Sequence, residues 1–186
     1  MPLLQVIVAS VRPTRIGGKV GDWFIPLAGK QGGFTVERID LRELNLPMMN
    51  EPHHPAQQKY EHEHTKQWSA TIARGDAYAF VTPEYDYGPP APLINALQYL
   101  AKEWRYKPVG FVSYGGVSGG TRSANGLRIY ASALSMMPLA EAVSIPFAGK
   151  LVDGDRFVPG DVQDTAATKL VTELARWEGA LRTLRA

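Results

Sequence analysis

The chain contains no cysteine. This absence excludes disulfide bonds, thiolate catalysis, and zinc or iron–sulfur sites built on cysteine. Charge of one sign is also scarce, because 20 basic and 18 acidic residues leave a net charge of +2. So small an excess gives no reason to expect a nucleic acid or an anionic membrane as a partner.

Long hydrophobic runs are missing as well. The first apolar run, residues 3–9, has no basic flank and is too short for a signal-peptide core or a membrane span. The 186 residues are 45% apolar and 20% charged, which is typical of a soluble globular protein. With no visible repeat or flexible linker, the sequence predicts a single domain over residues 1–186, located in the cytoplasm.

Strand and helix patterns alternate along the chain. Short apolar, β-rich runs predict strands, and the longer stretches between them predict helices. The predicted strands are residues 3–9, 34–39, 77–81, 108–112 and 139–145, and the predicted helices are residues 19–30, 57–74, 91–104, 121–136 and 162–184. Residues 40–55, with three prolines, are expected to be irregular.

This alternation predicts an α/β protein with a doubly wound, five-stranded parallel sheet and helices on both faces. A chain of this length fits the strand order 2-1-3-4-5. That order places the loops after strands 1 and 3 side by side, with the loop after strand 4 beyond them. All three lie at the edge of the sheet where ligands bind in such folds.

The loop after strand 1, residues 10–18, combines hydroxyl groups, two arginines and glycines at the start of a helix. Free amides and a positive dipole at a helix start attract an anion, and the arginine fork matches phosphate oxygens. The loop has neither the GxxxxGK[ST] nor the GxGxxG order, so a single phosphate is favoured over a triphosphate or a dinucleotide. The alternative is a helix cap flanked by solvated arginines.

The loop after strand 3, residues 82–90, contains two tyrosines, two acids, a glycine and three prolines. Aromatic rings on a stiff, proline-rich turn suit a flat, electron-rich ligand. The alternative is a rigid turn with exposed tyrosines, since turns are rich in these residue types.

The loop after strand 4, residues 113–122, has four glycines within six residues. Bare backbone of this kind can approach a planar ligand closely and donate hydrogen bonds to its carbonyls or ring nitrogens. The alternative is a mobile loop. Together the three loops predict an anion cradle, an aromatic wall and an exposed backbone edge, for which FMN is the evident ligand.

These motifs resemble those of the NAD(P)H-dependent FMN reductase family, flavodoxin-like proteins that include quinone, azo and chromate reductases. The resemblance rests on SVRPTRIG at 10–17, PEYDYG at 83–88 and YGG at 114–116, and it covers the chain from residue 3 to about residue 146. It implies a flavodoxin-like fold and an FMN site. The implied FMN-binding residues are Ser10, Arg12, Thr14, Arg15, Ile16 and Gly17 at the phosphate, Pro83, Glu84, Tyr85, Asp86 and Tyr87 along the isoalloxazine, and Tyr114, Gly115 and Gly116 at its far edge.

The resemblance also implies an activity. NAD(P)H passes a hydride to flavin N5, and the electrons then go to a small-molecule acceptor, which is a quinone, an azo compound, a metal oxyanion or free flavin. No side chain is assigned as a catalytic acid, base or nucleophile. A homodimer or homotetramer with the flavin near a subunit interface is expected. The alternatives are a flavodoxin-like electron carrier, which the net charge of +2 disfavours because carriers tend to be strongly acidic, and a scaffold without cofactor.

Asp86 departs from the family pattern, in which Asn usually follows Pro-Glu-Tyr. An ionised carboxylate cannot donate a hydrogen bond, and its charge near the ring would disfavour the reduced flavin anion. The alternative is that Asp86 caps the helix beginning at residue 91, or the turn itself.

Four histidines, His53, His54, His62 and His64, lie near two glutamates. Their spacing matches no zinc signature, and two helical residues two positions apart diverge by about 160°. We expect no metal here, and we interpret the segment as a solvated loop and helix start near the rim of the pocket.

Overall fold

A computed structural model describes residues 1–185. Its main sheet has the order β2-β1-β3-β4-β5, and every neighbouring pair is parallel. The predicted α/β fold and strand order are therefore confirmed. The strands are β1 (Leu3–Val8), β2 (Thr35–Asp40), β3 (Ala77–Pro83), β4 (Pro108–Tyr114) and β5 (Met137–Ile145), and a two-stranded hairpin follows from β6 (Val152–Asp153) and β7 (Arg156–Phe157).

Helices cover both faces of the sheet. They are α1 (Gly17–Gln31), α2 (Leu41–Leu44), α3 (Glu63–Arg74), α4 (Ala91–Gln98), α5 (Thr121–Ala133) and α6 (Asp161–Leu181), with short 3₁₀ turns at Pro55–Gln57, Lys102–Trp104, Ala148–Leu151 and Arg182–Leu184. One core lies under α1 and α6, and the other lies under α3, α4 and α5. Among residues 1–185, no helix has both the length and the apolar character that crossing a bilayer requires.

Two helix predictions are wrong by six residues at one end, and those over 121–136 and 162–184 extend three residues beyond the observed ends at Ala133 and Leu181. The helix predicted over 57–74 begins only at Glu63, because the Glu51 carboxylate accepts hydrogen bonds from the amides of Glu61 and His62 and holds an extended backbone there. The helix predicted over 91–104 ends at Gln98, and a separate 3₁₀ turn contains Trp104. In the segment expected to be irregular, Asp40 accepts from the Arg42 amide and starts the single turn of α2.

Pairing of the strands continues beyond their ends at the carboxyl edge of the sheet. The Ala9 amide donates to the Val81 carbonyl, and the Glu84 amide donates to the Tyr114 carbonyl. These bonds tie the starts of the loops after β1 and β3 to the neighbouring strands. The three loops that the sequence singled out therefore leave the sheet next to one another.

Candidate functional site

The loop after β1 is folded back onto the end of β2 by a buried ion pair. Arg15 donates through both terminal nitrogens to the Asp40 carboxylate at 2.5 and 2.6 Å, and also to the Ser10 carbonyl at 2.7 Å. Arg38 adds a further bond to Asp40 at 3.0 Å. The Arg15 side chain is 11% exposed and that of Asp40 is fully buried. The fork of Arg15 is thus engaged within the protein.

Asp40 is ionised at neutral pH despite its burial. Burial alone would raise the pKa of its carboxyl group, but hydrogen bonds from Arg15, Arg38 and the Arg42 amide outweigh that effect and hold the pKa below its ordinary value. A permanent carboxylate therefore anchors the loop that begins at Ser10.

The start of α1 offers unpaired donors. Ile16 precedes the helix without a side-chain cap, and within residues 1–185 the amides of Gly17, Gly18 and Lys19 have no hydrogen-bond acceptor. No acidic side chain occupies the first turn. Free amides with the positive end of a helix dipole form an environment suited to an anion.

The hydroxyl group of Tyr114 points at this helix start. It is buried, makes no hydrogen bond of acceptable geometry among the described residues although the Ser10 hydroxyl lies near it, and lies so close to Gly17 that any side chain at position 17 would overlap it. Burial raises the pKa of Tyr114, so the hydroxyl keeps its proton and stays a donor. A buried donor without an acceptor costs free energy unless a ligand satisfies it. This arrangement fits an anionic group at the start of α1.

Two further groups of the first loop face the aromatic residues. The Ser10 hydroxyl lies 2.7 Å from that of Tyr85. Arg12 is exposed, and its guanidinium lies 5.6 Å from the centre of the Tyr85 ring. Unlike Arg15, Arg12 has no carboxylate partner among the described residues. It is the arginine of the loop that remains available to a ligand.

Residues 85–88 form a tight β-hairpin turn. Tyr85 and Gly88 exchange backbone hydrogen bonds at 3.0 and 2.9 Å, and the two central residues, Asp86 and Tyr87, both have left-handed backbones with φ of 48° and 67°. These angles are typical of a type I′ turn, in which both central residues need positive φ. The Asp86 side chain is exposed and caps no helix, since α4 begins after Pro90 without a side-chain cap. The helix-capping alternative for Asp86 is therefore wrong.

The glycines after β4 have different roles. Gly119 and Gly120 have positive φ and pack against Ser144 and the Tyr114 backbone, where a side chain would not fit. Gly116 has open space beside it. Two of the four glycines in this loop are therefore required by internal packing, and Gly116 alone of these three presents bare backbone to open space.

A cavity of about 250 Å³ lies where the loops meet. Its walls come from the first loop, the segment after β3, the end of β4 and the turn after β5, and they consist of Arg12, Thr14, Arg15, Ile16, Pro83, Glu84, Tyr85, Tyr114, Gly115 and Ala148. Among the predicted site residues, Ser10, Gly17, Asp86, Tyr87 and Gly116 do not line this cavity. Ser10 and Gly17 adjoin it through Tyr85 and Tyr114, whereas Asp86 and Tyr87 lie at the exposed tip of the hairpin.

A larger cavity of about 490 Å³ lies at the opposite edge of the sheet, beside Asp76 and Lys107. Burial lowers the pKa of Lys107 to about 8. Its ammonium group already donates to the carbonyls of Ile72 and Ala73 and to the Tyr78 hydroxyl. Lys107 is therefore used to close the end of α3.

The histidine segment is arranged differently from our expectation. The rings of His62 and His64 stack at 5.2 Å instead of diverging, because His62 precedes α3 with an extended backbone. Both rings contact Asn50. Within residues 1–185, no group of three or more His, Asp or Glu side chains could hold a metal ion.

Two residues at this edge have roles that sequence reasoning missed. Asp40 lies in the segment 40–55, which the sequence predicts to be irregular. Its position at the end of β2, beside β1, is the sequence signal that places it near the first loop. Arg122 belongs to the glycine-rich segment, yet nothing in the sequence pairs it with Glu84, to which it donates at 2.7 Å.

Comparisons with known proteins agree with the geometry. The sequence profile of the NADPH-dependent FMN reductase family matches residues 2–150. A curated NAD(P)H-dependent FMN reductase of Schizosaccharomyces pombe is 39% identical over 157 residues, which cover 82% of this chain and 78% of the relative. A protein of the same description from a Nectria species is 33% identical over 154 residues, covering 80% and 77%.

A solved structure has the same fold. The flavoenzyme NAD(P)H:(acceptor) oxidoreductase of Paracoccus denitrificans superposes with a TM-score of 0.78 and covers 97% of this chain and 98% of its own. Its sequence identity is 19%, so the likeness concerns the fold alone.

Replacing Asp40 with Asn should destabilise the protein in a pH-dependent way. At pH 7 we expect a loss of about 2 kcal/mol in the free energy of unfolding, because Arg15 loses its buried charged partner. The folded pKa of Asp40 lies below the unfolded value, so its contribution is present above about pH 4 and disappears as the pH falls through the folded pKa. Urea denaturation at several pH values measures the difference between wild type and variant.

The matched control is Glu173→Gln, which breaks the surface ion pair with Arg176 and should change stability by less than about 0.5 kcal/mol. An Asp40→Asn effect of the same size at pH 3 and pH 7 would contradict the assignment of a charged anchor.

Position 86 should tolerate Asn but not Ala. Asn adopts a left-handed backbone about as readily as Asp, whereas Ala should lower the free energy of unfolding by about 1 kcal/mol. Denaturant titration of Asp86→Asn and Asp86→Ala measures this. Equal stability of the two variants would show that the turn geometry does not constrain this position.

Proposed function

The chain belongs to the NADPH-dependent FMN reductase family, and on that premise we propose that it binds FMN in the cavity at the carboxyl edge of the sheet and uses it to oxidise NAD(P)H. Electrons then pass to a small-molecule acceptor such as a quinone, an azo compound, a metal oxyanion or free flavin. The observation that carries this proposal is the buried, unpaired hydroxyl of Tyr114 at the start of α1. Together with the free amides from Gly17 to Lys19, it supports a site for one phosphate group.

Arg12 and Arg15 have separate tasks in this proposal. Arg12, exposed beside the cavity, contributes charge to the phosphate. Arg15 holds the conformation of the loop after β1 through its ion pair with Asp40, so that the α1 amides and Arg12 point to the same phosphate site. Thr14 and Ile16 complete the wall around the phosphate.

The flat part of the ligand lies against the loops after β3 and β4. Pro83, Glu84 and Tyr85 line one wall of the cavity, and Tyr114 and Gly115 line another. The hairpin at Asp86 and Tyr87 fixes the direction of the Tyr85 ring, and the open backbone at Gly116 bounds the far edge.

Bound FMN supplies the redox chemistry, accepting a hydride from NAD(P)H and passing electrons to the acceptor. The residues described above bind and orient, and none of them is assigned a proton transfer. From the sequence and the family we further propose that the protein is a single domain over residues 1–186, is located in the cytoplasm, and forms a homodimer or homotetramer.

The direct test is the visible spectrum of the purified protein after reconstitution with FMN and removal of free flavin, recorded without oxygen before and after NADPH or NADH is added. We expect retained yellow flavin that bleaches on mixing, because the flavin is reduced. Chemical reduction with dithionite is the control for a reducible flavin. Flavin that dithionite bleaches but neither nucleotide does would favour an electron carrier, and failure to retain flavin would exclude the site.

The two arginines should respond differently to replacement by Ala. Arg12→Ala should weaken FMN binding about tenfold, through loss of a charge-assisted contact, with no change in the free energy of unfolding. Arg15→Ala should lower both the affinity for FMN and the free energy of unfolding, because it leaves Asp40 without its main partner. Flavin fluorescence titration and urea denaturation measure the two quantities.

Riboflavin, which lacks the phosphate, is the matched ligand control. Arg12→Ala should leave riboflavin affinity unchanged. Equal losses of FMN and riboflavin affinity would show that Arg12 does not act at the phosphate.

A further inference from the structure

We propose that Arg122 is a positioning residue that holds the 85–88 hairpin against the flavin site by clamping it to the first turn of α5. This inference rests on the proposed function for its effect on flavin, while the clamp itself is a property of the protein without ligand. Three groups take part: the Glu84 carboxylate before the hairpin, the Tyr87 ring within it, and Arg122 of α5.

Glu84 is held on both of its oxygens. One oxygen accepts a hydrogen bond from Nε of the Arg122 guanidinium at 2.7 Å and forms an ion pair with a terminal nitrogen at 2.5 Å. The other accepts from the Arg122 backbone amide at 3.1 Å. That amide is one of the donors left free at a helix start, so Glu84 also caps α5. A single side chain therefore joins the loop after β3 to the helix after β4.

The Arg122 guanidinium also covers the ring of Tyr87, with its central carbon 3.8 Å from the ring centre. Tyr87 is 72% exposed and has a left-handed backbone, which is unfavourable for an aromatic residue. Stacking by a planar cation is a stabilising contact for such a ring. Arg122 thus contacts the hairpin at Tyr87 and the segment before it at Glu84.

The clamp stays charged at neutral pH. Burial would raise the pKa of Glu84, but hydrogen bonds from Arg122 and Ser118 together with the charge of Arg122 outweigh burial and lower it. The same hydrogen bond raises the pKa of Arg122. The Glu84 side chain is 7% exposed and that of Arg122 is 44% exposed. Because solvent screens the exposed Arg122 end of the pair, the pair contributes little to global stability, so the effect of Arg122 is on the local geometry of the hairpin.

This geometry matters for the cavity because Glu84 and Tyr85 are adjacent and both line it. A shift of Glu84 moves the Tyr85 ring and with it the hydrogen bond between the hydroxyl groups of Tyr85 and Ser10 in the first loop. Through these contacts, Arg122 acts on the flavin pocket without lining it.

The experiment compares Arg122→Met, which keeps an apolar stem without charge or fork, with Arg122→Lys, which keeps the charge alone. Arg176→Met is the matched control, since Arg176 forms an exposed ion pair with Glu173 far from the site. Three quantities are measured: FMN affinity by fluorescence titration, visible circular dichroism of bound FMN, which reports the surroundings of the ring, and hydrogen exchange of the Tyr85 and Gly88 amides in FMN-free protein.

For Arg122→Met we expect hairpin amides that exchange about tenfold faster, because local opening becomes easier, with FMN affinity weakened about tenfold and an altered flavin dichroism. Arg122→Lys should restore part of each change, and Arg176→Met should change none. If the hairpin amides of Arg122→Met exchange hydrogen at the wild-type rate, the clamp is overturned. Faster exchange with unaltered FMN affinity and dichroism would overturn its positioning role. If wild-type protein binds no FMN, the proposed function fails, and hydrogen exchange still decides the clamp.

Discussion

The buried pair of Arg15 and Asp40 is the interaction on which the geometry of the site depends. It joins the loop after β1 to the end of β2, and it brings Arg15 into contact with the Ser10 carbonyl at the other end of the loop. The α1 amides and the exposed Arg12 consequently face the same side as Tyr114 and Tyr85. Without this pair, the buried Asp40 carboxylate would lack its main partner at a place where β1 and β2 lie side by side.

Much of this arrangement could be predicted from the sequence, because it follows from local patterns. Alternating apolar runs fix the number of strands, and parallel pairing with right-handed crossovers limits their order. The order then brings the loops after β1, β3 and β4 to one edge. The arginine-containing loop at Ser10 to Gly17 and the aromatic turn at Pro83 to Tyr87 both stand out in the sequence, since each is a contiguous segment with an unusual composition.

The remaining features depend on contacts between residues far apart in the chain. Arg12 and Arg15 look equivalent in the sequence, and only the distant Asp40 distinguishes the arginine that is paired from the one that is free. The late start of α3 likewise depends on Glu51, ten residues before Glu61. Gly119 and Gly120 look like part of a ligand-binding backbone, yet they are required by packing against Ser144 and Tyr114. Local composition carries no information about such pairings.

The double use of Glu84 bears on how molecules reach and leave the cavity. Its carboxylate joins two elements, so swinging the hairpin outward would also strip the first turn of α5 of its cap. An opening motion of that kind therefore breaks contacts on two elements at once, in contrast to the hinged lids of many enzymes. Exchange of ligands at this edge of the sheet is expected to proceed past exposed side chains of the cavity wall, such as that of Arg12. Access to this pocket is then controlled by side chains that rotate on a fixed backbone. Rotamer changes, and not loop opening, set the timescale on which ligands enter and leave.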